Sequence, residues 1–303
     1  MFSNLRKNLY NKRSSKKLGW RPSWFDVNDF GSELIEKIKE FQRSHDLKDD
    51  GMCGSMTYRR ILARQEASLD PEMSYIILEG NKVEVPWDKV VALDAPGNLA
   101  LPSSCYRKKD RPDPTQVVTH FDVCLSAASC KRVLQKRGIS SHFVIDNDGT
   151  IYQMVDTAYE AWHAPPANRR SIGVDISNAY YLKYNKTYEK RGHGPRPVLR
   201  NLPLHGTKIK ECLGFYDVQI EAYKALISVL CDFYGIPIAC PEDAAGNLLR
   251  KVSPDARSGK FKGVVCHYHI TRKKIDCVNL ELKDVLDDIN NGESALNSGE
   301  ARL

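Results

Sequence analysis

The 303-residue chain has no apolar run approaching the ~18 residues that cross a membrane, so no inserted helix is expected. Its N-terminus, Met1 to Lys17, is basic but lacks the apolar stretch of a secretory signal. Action outside a cytoplasm is therefore expected to need another route. Nine cysteines, at 53, 105, 124, 130, 212, 231, 240, 266 and 277, form no CxxC pair and no regular framework. A chain of this size buries a core without disulfides, so most are expected to be reduced, buried small apolar residues. There is no H-E-x-x-H metallopeptidase helix. The H-x-E and P-C-x-x-C pair of a zinc deaminase is also missing. No helix-turn-helix, finger or RNA-binding signature is present, and nucleic acid is not an expected partner. The net charge of +7 is mild and suits a polyanionic surface. With 42% hydrophobic and 27% charged residues, the composition is globular rather than collagenous, coiled-coil or disordered.

The length implies two domains at about 150 residues each. Residues 1–23 are basic and polar and read as a frayed arm or a solvated first helix. Leu34, Ile35, Ile38, Phe41 and Gln42 recur at helical spacing. Asp50-Gly51 and Gly54 mark a turn, and Tyr58, Ile61 and Leu62 a second helix opened by Ser55 or Thr57. Residues 1–68 thus read as a small helical module. Residues 69–112 read as a connector with short β-like runs, the next domain starting as early as residue 84 and its main body spanning 113–290.

In that body Gln116 to His120 is an apolar strand ending in His. A helix follows, with Ala127, Ala128, Val133 and Leu134 as its expected buried face. SSHFVIDNDGTIYQMV reads as strand–turn–strand around Asn-Asp-Gly, and Ile172, Val174 and Ile176 line one side of a further strand. Residues 180–217 read as an irregular insertion. VQIEAYKALISVLCDFYG is an amphipathic helix stopped by Gly235, and KGVVCHYHI a strand again ending in His. Residues 291–303 read as a flexible tail. Strands alternating with helices predict an α/β fold, a mixed sheet flanked by helices.

Strand ends of an open α/β sheet converge on one crevice. His120 and His267 stand at two such ends, with Asp276 and Cys277 close behind the second. Two imidazoles with a carboxylate or a thiolate make a three-ligand zinc set with a fourth position open. His269, two residues from His267 on the expected strand, is a rival ligand by alternation.

The pattern Phe41, Gln42, Leu47, Asp50, Gly51, Gly54, Thr57 and Leu62 resembles the peptidoglycan-binding module of cell-wall hydrolases, over about residues 20–68. Segment 115–285 resembles the zinc-dependent N-acetylmuramoyl-L-alanine amidases, a family that also contains peptidoglycan recognition proteins and phage endolysins. VVTHFD, SSHFVIDNDGTIYQ, Ala161-Trp162-His163-Ala164, Ser171-Ile172-Gly173-Val174-Asp175 and His267 with Lys274-Ile275-Asp276 carry the resemblance, in the family's order.

The resemblance implies Zn2+ held by His120, His267 and Asp276, with Cys277 the alternative third ligand. It implies Lys274 as oxyanion donor and Asp175, where the family often has Glu, as general base. Asp175 has a second reading, as a partner orienting a ligand His. Where other members have a catalytic Tyr, this chain has Ser141, and His142 beside it is expected to pack or orient. Trp162 and His163 are expected to bind substrate, as is the Tyr-rich stretch 180–184. The implied reaction is hydrolysis of the amide between N-acetylmuramic acid and L-alanine of bacterial peptidoglycan. A wall-binding module joined to an amidase without a signal peptide resembles a modular endolysin, an architecture shared by bacterial autolysins and virion-associated lysins. Endolysins accumulate in the host cytoplasm and reach the wall once holins open the membrane, and the chain is expected to act as a monomer. A recognition protein that binds peptidoglycan without cleaving it is the alternative.

Overall fold

The computed structural model of the chain describes residues 4–45, 47–69, 74–108 and 111–299. Three helices open it: α1 (Asn4–Leu18), α2 (Ser32–Arg43) and α3 (Ser55–Leu69). Leu34, Ile38 and Phe41 of α2 pack with Trp20, Phe25, Cys53 and Ile61 in a small core. The Phe-Gln…Asp-Gly…Thr pattern is one hydrogen-bonded unit built around Gln42. Its Oε1 accepts from the Gly51 amide at 2.9 Å. Its Nε2 donates to Asp50, the Met52 carbonyl and Thr57, each at 3.1 Å. Gly51 stands at φ 72°, a conformation costly for any residue with a Cβ. The basic N-terminal stretch is a docked helix: Asn11 donates to the Gly51 carbonyl at 3.0 Å and accepts from the Cys53 amide at 2.9 Å.

Residues expected as a connector belong to the second domain's architecture. β1 (Tyr75–Leu78) and β2 (Asn81–Glu84) form a hairpin whose Ile76 and Leu78 enter the main core. β3 (Val90–Val91) is an edge strand of the central sheet, and β4 (Tyr106–Arg107) pairs outside it. The body follows as β5 (Gln116–Phe121), α4 (Ala127–Arg137), β6 (Phe143–Ile145), β7 (Ile151–Gln153), β8 (Glu160–Ala161) and β9 (Ser171–Ile176). The chain continues through α5 (Asn185–Lys190), β10 (Val198–Leu204), β11 (Thr207–Leu213) and α6 (Asp217–Tyr234). It ends with α7 (Pro254–Ser258), β12 (Gly263–Cys266), α8 (His267–Ile270) and α9 (Leu282–Gly299).

The central sheet runs β12-β5-β9-β6-β7-β3. β12, β5, β9 and β6 are parallel neighbours, and β7 returns antiparallel to β6 across the expected Asn147-Asp148-Gly149 turn. Ile172, Val174 and Ile176 share one side of β9 and meet Ala222, Tyr223, Leu226, Ile227 and Leu230 of α6. Helix α6 stops at Gly235 in the left-handed region, as its sequence predicts. This is the mixed α/β fold expected, preceded by a helical module. All nine cysteines are free and buried.

Four local expectations are corrected. Val133 is 41% exposed, because α4 buries Ala127 and Cys130 instead and turns Val133 outward beside a cleft. The 180–217 insertion is regular in large part: it holds α5 and the β10–β11 ribbon, paired from Val198↔Leu213 to Leu204↔Thr207. The last strand stops at Cys266, and His267 opens a helical turn rather than ending a strand. The C-terminal helix runs on to Gly299 where a tail was expected from residue 291, and residues 300–303 lie outside the described residues.

Candidate active site

Parallel register places His120 of β5 opposite Asp175 of β9, so the two side chains leave the sheet as neighbours at its carboxyl end. One strand further, β12 hands over to α8 at His267. The loop after α8 brings Asp276 back over both. Asp276 Oδ2 lies 2.9 Å from His120 Nδ1 and 3.0 Å from His267 Nδ1. The ligand-capable atoms of all three lie within 4.8 Å of one another. The three residues are 5%, 3% and 7% exposed.

Their electrostatics favour ligand-ready forms. Burial pushes the Asp276 carboxyl up, but the two imidazoles beside it, His120 and His267, outweigh that and hold the group well below the usual carboxylate range. Burial lowers the His267 imidazole, with the Asp276 hydrogen bond opposing. An ionised carboxylate beside two imidazoles offers lone pairs to one point, and metal binding requires those deprotonated forms. Two nitrogens and one oxygen so converged fit zinc with a position open. Cys277 packs into the main core beside Cys266, Val278 and Leu280, and burial raises its thiol well above normal. The cleft takes the carboxylate and the core the thiol, as the cost of burying an unpaired charge dictates.

The remaining histidines separate clearly. His269 accepts from the Cys266 amide at Nδ1, 3.0 Å, and donates from Nε2 to the Leu249 carbonyl, 2.6 Å. The helical turn removes the strand alternation that made it a rival ligand. His142 accepts from the Gly173 amide at 2.9 Å and donates to the Tyr159 carbonyl at 3.0 Å, so it packs and orients. Burial drives both imidazoles down to about 3. His163 lies 3.0 Å from His120 Nε2 through its Nδ1.

A cleft of about 610 Å3 opens over this cluster. Asp175, Trp162, His163 and Lys274 line it together with His120, His267 and Asp276, and Tyr180 and Tyr181 of the 180–184 stretch join them, while Ser141, His142, Tyr184, His269 and Cys277 are not among its lining residues. Burial raises the Asp175 carboxyl, while His120, Ser141 and Lys274 oppose that shift. The rim adds Val123, Arg137 and Lys273, to which the sequence assigned no role, and Val133, expected in the core. Asp122 was also passed over, though it stands in the quoted VVTHFD. It accepts from Ser177 Oγ at 2.8 Å and from the Asn178 and Cys124 amides at 3.0 and 2.8 Å. Burial, then Asp175, pushes it up to about 8. The insertion reaches the site as well, since His205 at the ribbon tip donates from Nε2 to the Lys274 carbonyl at 3.2 Å.

Residues 110–274 match the family model of N-acetylmuramoyl-L-alanine amidase, which is more than half of the chain. The chain belongs to this amidase family. The match takes in His120, Asp175, His267 and Lys274 and stops two residues short of Asp276. Residues 16–61 match a peptidoglycan binding domain family. Solved structures with a similar fold include the N-acetylmuramoyl-L-alanine amidase LysC from Clostridium intestinale, 17% identical, covering 67% of this chain and 97% of that one at a TM-score of 0.40. Another is Staphylococcus aureus hydrolase AmiA in complex with its ligand, 13% identical, covering 76% and 88% at 0.39. A third is Drosophila PGRP-LB, 18% identical, covering 61% and 84% at 0.33. No curated protein matches the chain. The chain is thus a peptidoglycan amidase, and all residues lining the 610 Å3 cavity except Ile275 and Asp276 fall within the matched segment. Among the described residues no helix is long and apolar enough to cross a membrane.

Proposed function

We propose that this amidase is zinc-dependent and hydrolyses the amide between the lactyl group of N-acetylmuramic acid and L-alanine of the stem peptide. The observation that carries the reading is the meeting of His120, His267 and Asp276 in the cleft that Asp175 and Lys274 also line. Those three residues would hold the zinc. Zinc there would polarise the scissile carbonyl and acidify the attacking water. Asp175 takes the proton of that water and passes it to the leaving amine. The raised affinity of its carboxyl for protons, caused by burial, suits a group that must accept one near neutrality. Lys274 is exposed at the cleft edge and donates to the oxyanion as charge develops there. Trp162 offers an indole face on which sugar or peptide can stack.

The N-terminal module, matched to a peptidoglycan binding domain, would hold the enzyme on its polymeric substrate. Module and amidase together support an endolysin-like role, acting as a monomer from the host cytoplasm on the wall after holin-type release. The deciding assay compares native, chelated and zinc-restored protein on purified peptidoglycan and identifies new ends by mass spectrometry. Chelator-sensitive release of intact stem peptides with free L-alanine amino termini is expected. Zinc binding and wall pull-down without cleavage would establish a recognition protein instead.

A further inference from the structure

We propose that His163 is a positioning residue that holds His120 as a metal ligand, rather than a substrate contact. The proposal rests on the metal-site reading above. Both ring nitrogens of His163 have internal partners: Nδ1 lies 3.0 Å from His120 Nε2, and Nε2 lies 3.2 Å from Ser171 Oγ. Neither nitrogen is left for substrate. The direction of the relay follows from its far end. Ser171 Oγ donates to the Ala167 carbonyl at 2.8 Å, its shorter contact, and a carbonyl only accepts. Ser171 therefore accepts from His163 Nε2–H. A neutral imidazole carries one N–H, so His163 Nδ1 accepts and His120 Nε2 donates to it. That leaves His120 Nδ1 as a bare lone pair, and Nδ1 is the atom aimed at Asp276 Oδ2. The relay thus selects the ligating tautomer of His120 and fixes its ring plane.

Two further features serve the same placement. Asn168 Oδ1 accepts from the His163 and Ala164 amides at 3.1 and 2.6 Å, pinning the backbone that presents the ring. Gly173, in the middle of β9, has an ordinary strand conformation, so its lack of a side chain needs another reason. A Cβ there would stand 2.8 Å from His163 Cγ and 2.9 Å from its Nδ1, and 2.8 Å from Ser141 Oγ, whose hydroxyl can rotate away where the ring cannot. The glycine clears the space the imidazole fills. Ser171 and Gly173, two positions apart on one strand face, thus act together: one anchors the ring and the other admits it.

The test measures zinc affinity of the full chain by competition with a chromophoric chelator, and the His120 tautomer by long-range 1H–15N spectra. His163→Phe keeps an aromatic ring and removes the acceptor. It is expected to weaken zinc by about 10- to 100-fold and, in the zinc-free chain, to shift His120 from the Nε2–H to the Nδ1–H tautomer, which then donates to Asp276. His163→Gln, which can accept from His120 and donate to Ser171, is expected to recover most of the affinity. Gly173→Ala keeps every polar group and is expected to lose affinity by displacing the ring. Near-UV circular dichroism reports that each variant is folded. Wild-type affinity and an unchanged His120 tautomer in His163→Phe would overturn the proposal. If the wild-type chain itself holds no zinc, the metal-site reading falls and the tautomer comparison alone decides: its loss in His163→Phe upholds the positioning role, its persistence removes it.

Discussion

Asp175 is one methylene shorter than the glutamate common at its place in this family, and it pairs opposite His120 on the adjacent strand. If it is the base, Asp175→Asn lowers turnover on purified peptidoglycan by about 100- to 10,000-fold. Metal content by atomic spectroscopy should stay at the wild-type level. A variant that loses zinc along with activity would make Asp175 a support for the ligands instead. Lys274→Ala, removing one oxyanion donor, is expected to cost about 100-fold or more in kcat with a small change in KM. A change confined to KM would place Lys274 in ground-state binding.

At the scale of elements, the 180–217 insertion is held by one buried cation. The Arg196 guanidinium lies between the rings of Tyr188 and Tyr216, 4.4 and 4.2 Å from their centroids. It donates to the carbonyls of Gly214 and Ser177, to Gln219 Oε1 and to Asn147 Oδ1. Its partners are neutral oxygens and phenol faces, and together they tie the insertion to β9, α6 and the β6–β7 turn. Arg196→Ala should destabilise the protein by about 3 kcal/mol or more, because the lost hydrogen bonds leave several buried acceptors unpaired. Arg196→Lys should recover little, since an ammonium supplies neither the planar fork nor the stacking face. Denaturant unfolding measures both. Near wild-type stability in either variant would show the insertion held by its other contacts.

Across the whole molecule, the module meets the amidase domain through α3. Arg59 of α3 stands 3.7 Å from Asp146, a carboxylate only 1% exposed at the β6–β7 turn. The Oδ1 atom of Asp146 accepts from the Ala127 and Asn147 amides, so Arg59 serves its other oxygen. Burial, then Asp148, pushes Asp146 up to about 6, with Arg59 opposing. The folded state therefore binds its proton more tightly than the unfolded chain does. The stability this contributes is complete below about pH 4 and is lost as pH rises through about 6. Asp146→Asn should flatten the stability–pH curve over that window. Arg59→Ala should steepen it and cost about 1–3 kcal/mol at neutral pH, since it leaves a buried carboxylate without its counter-charge. The double variant should cost less than the sum of the two. Parallel curves for all four proteins would mean that the junction carries no such coupling.

The sequence alone determined what depends on neighbours along the chain. Helix α6 and its Gly235 stop, the Asn-Asp-Gly turn, the alternating β9 and the Gln42-centred module were legible because helix period, strand alternation and turn chemistry are local. The order of amidase motifs named His120, His267, Asp276, Asp175 and Lys274 before any coordinates did. Tertiary structure alone decided how those residues meet. It ended β12 one residue before His267, which turned His269 away toward the Leu249 carbonyl. It placed Asp276 in the cleft and the adjacent Cys277 in the core. It drew β3 from the expected connector into the sheet edge and gave both nitrogens of His163 partners on other elements. Each of these outcomes joins residues far apart in the chain. They are selected by burial and by the pairing of buried polar groups, quantities that local spacing does not encode.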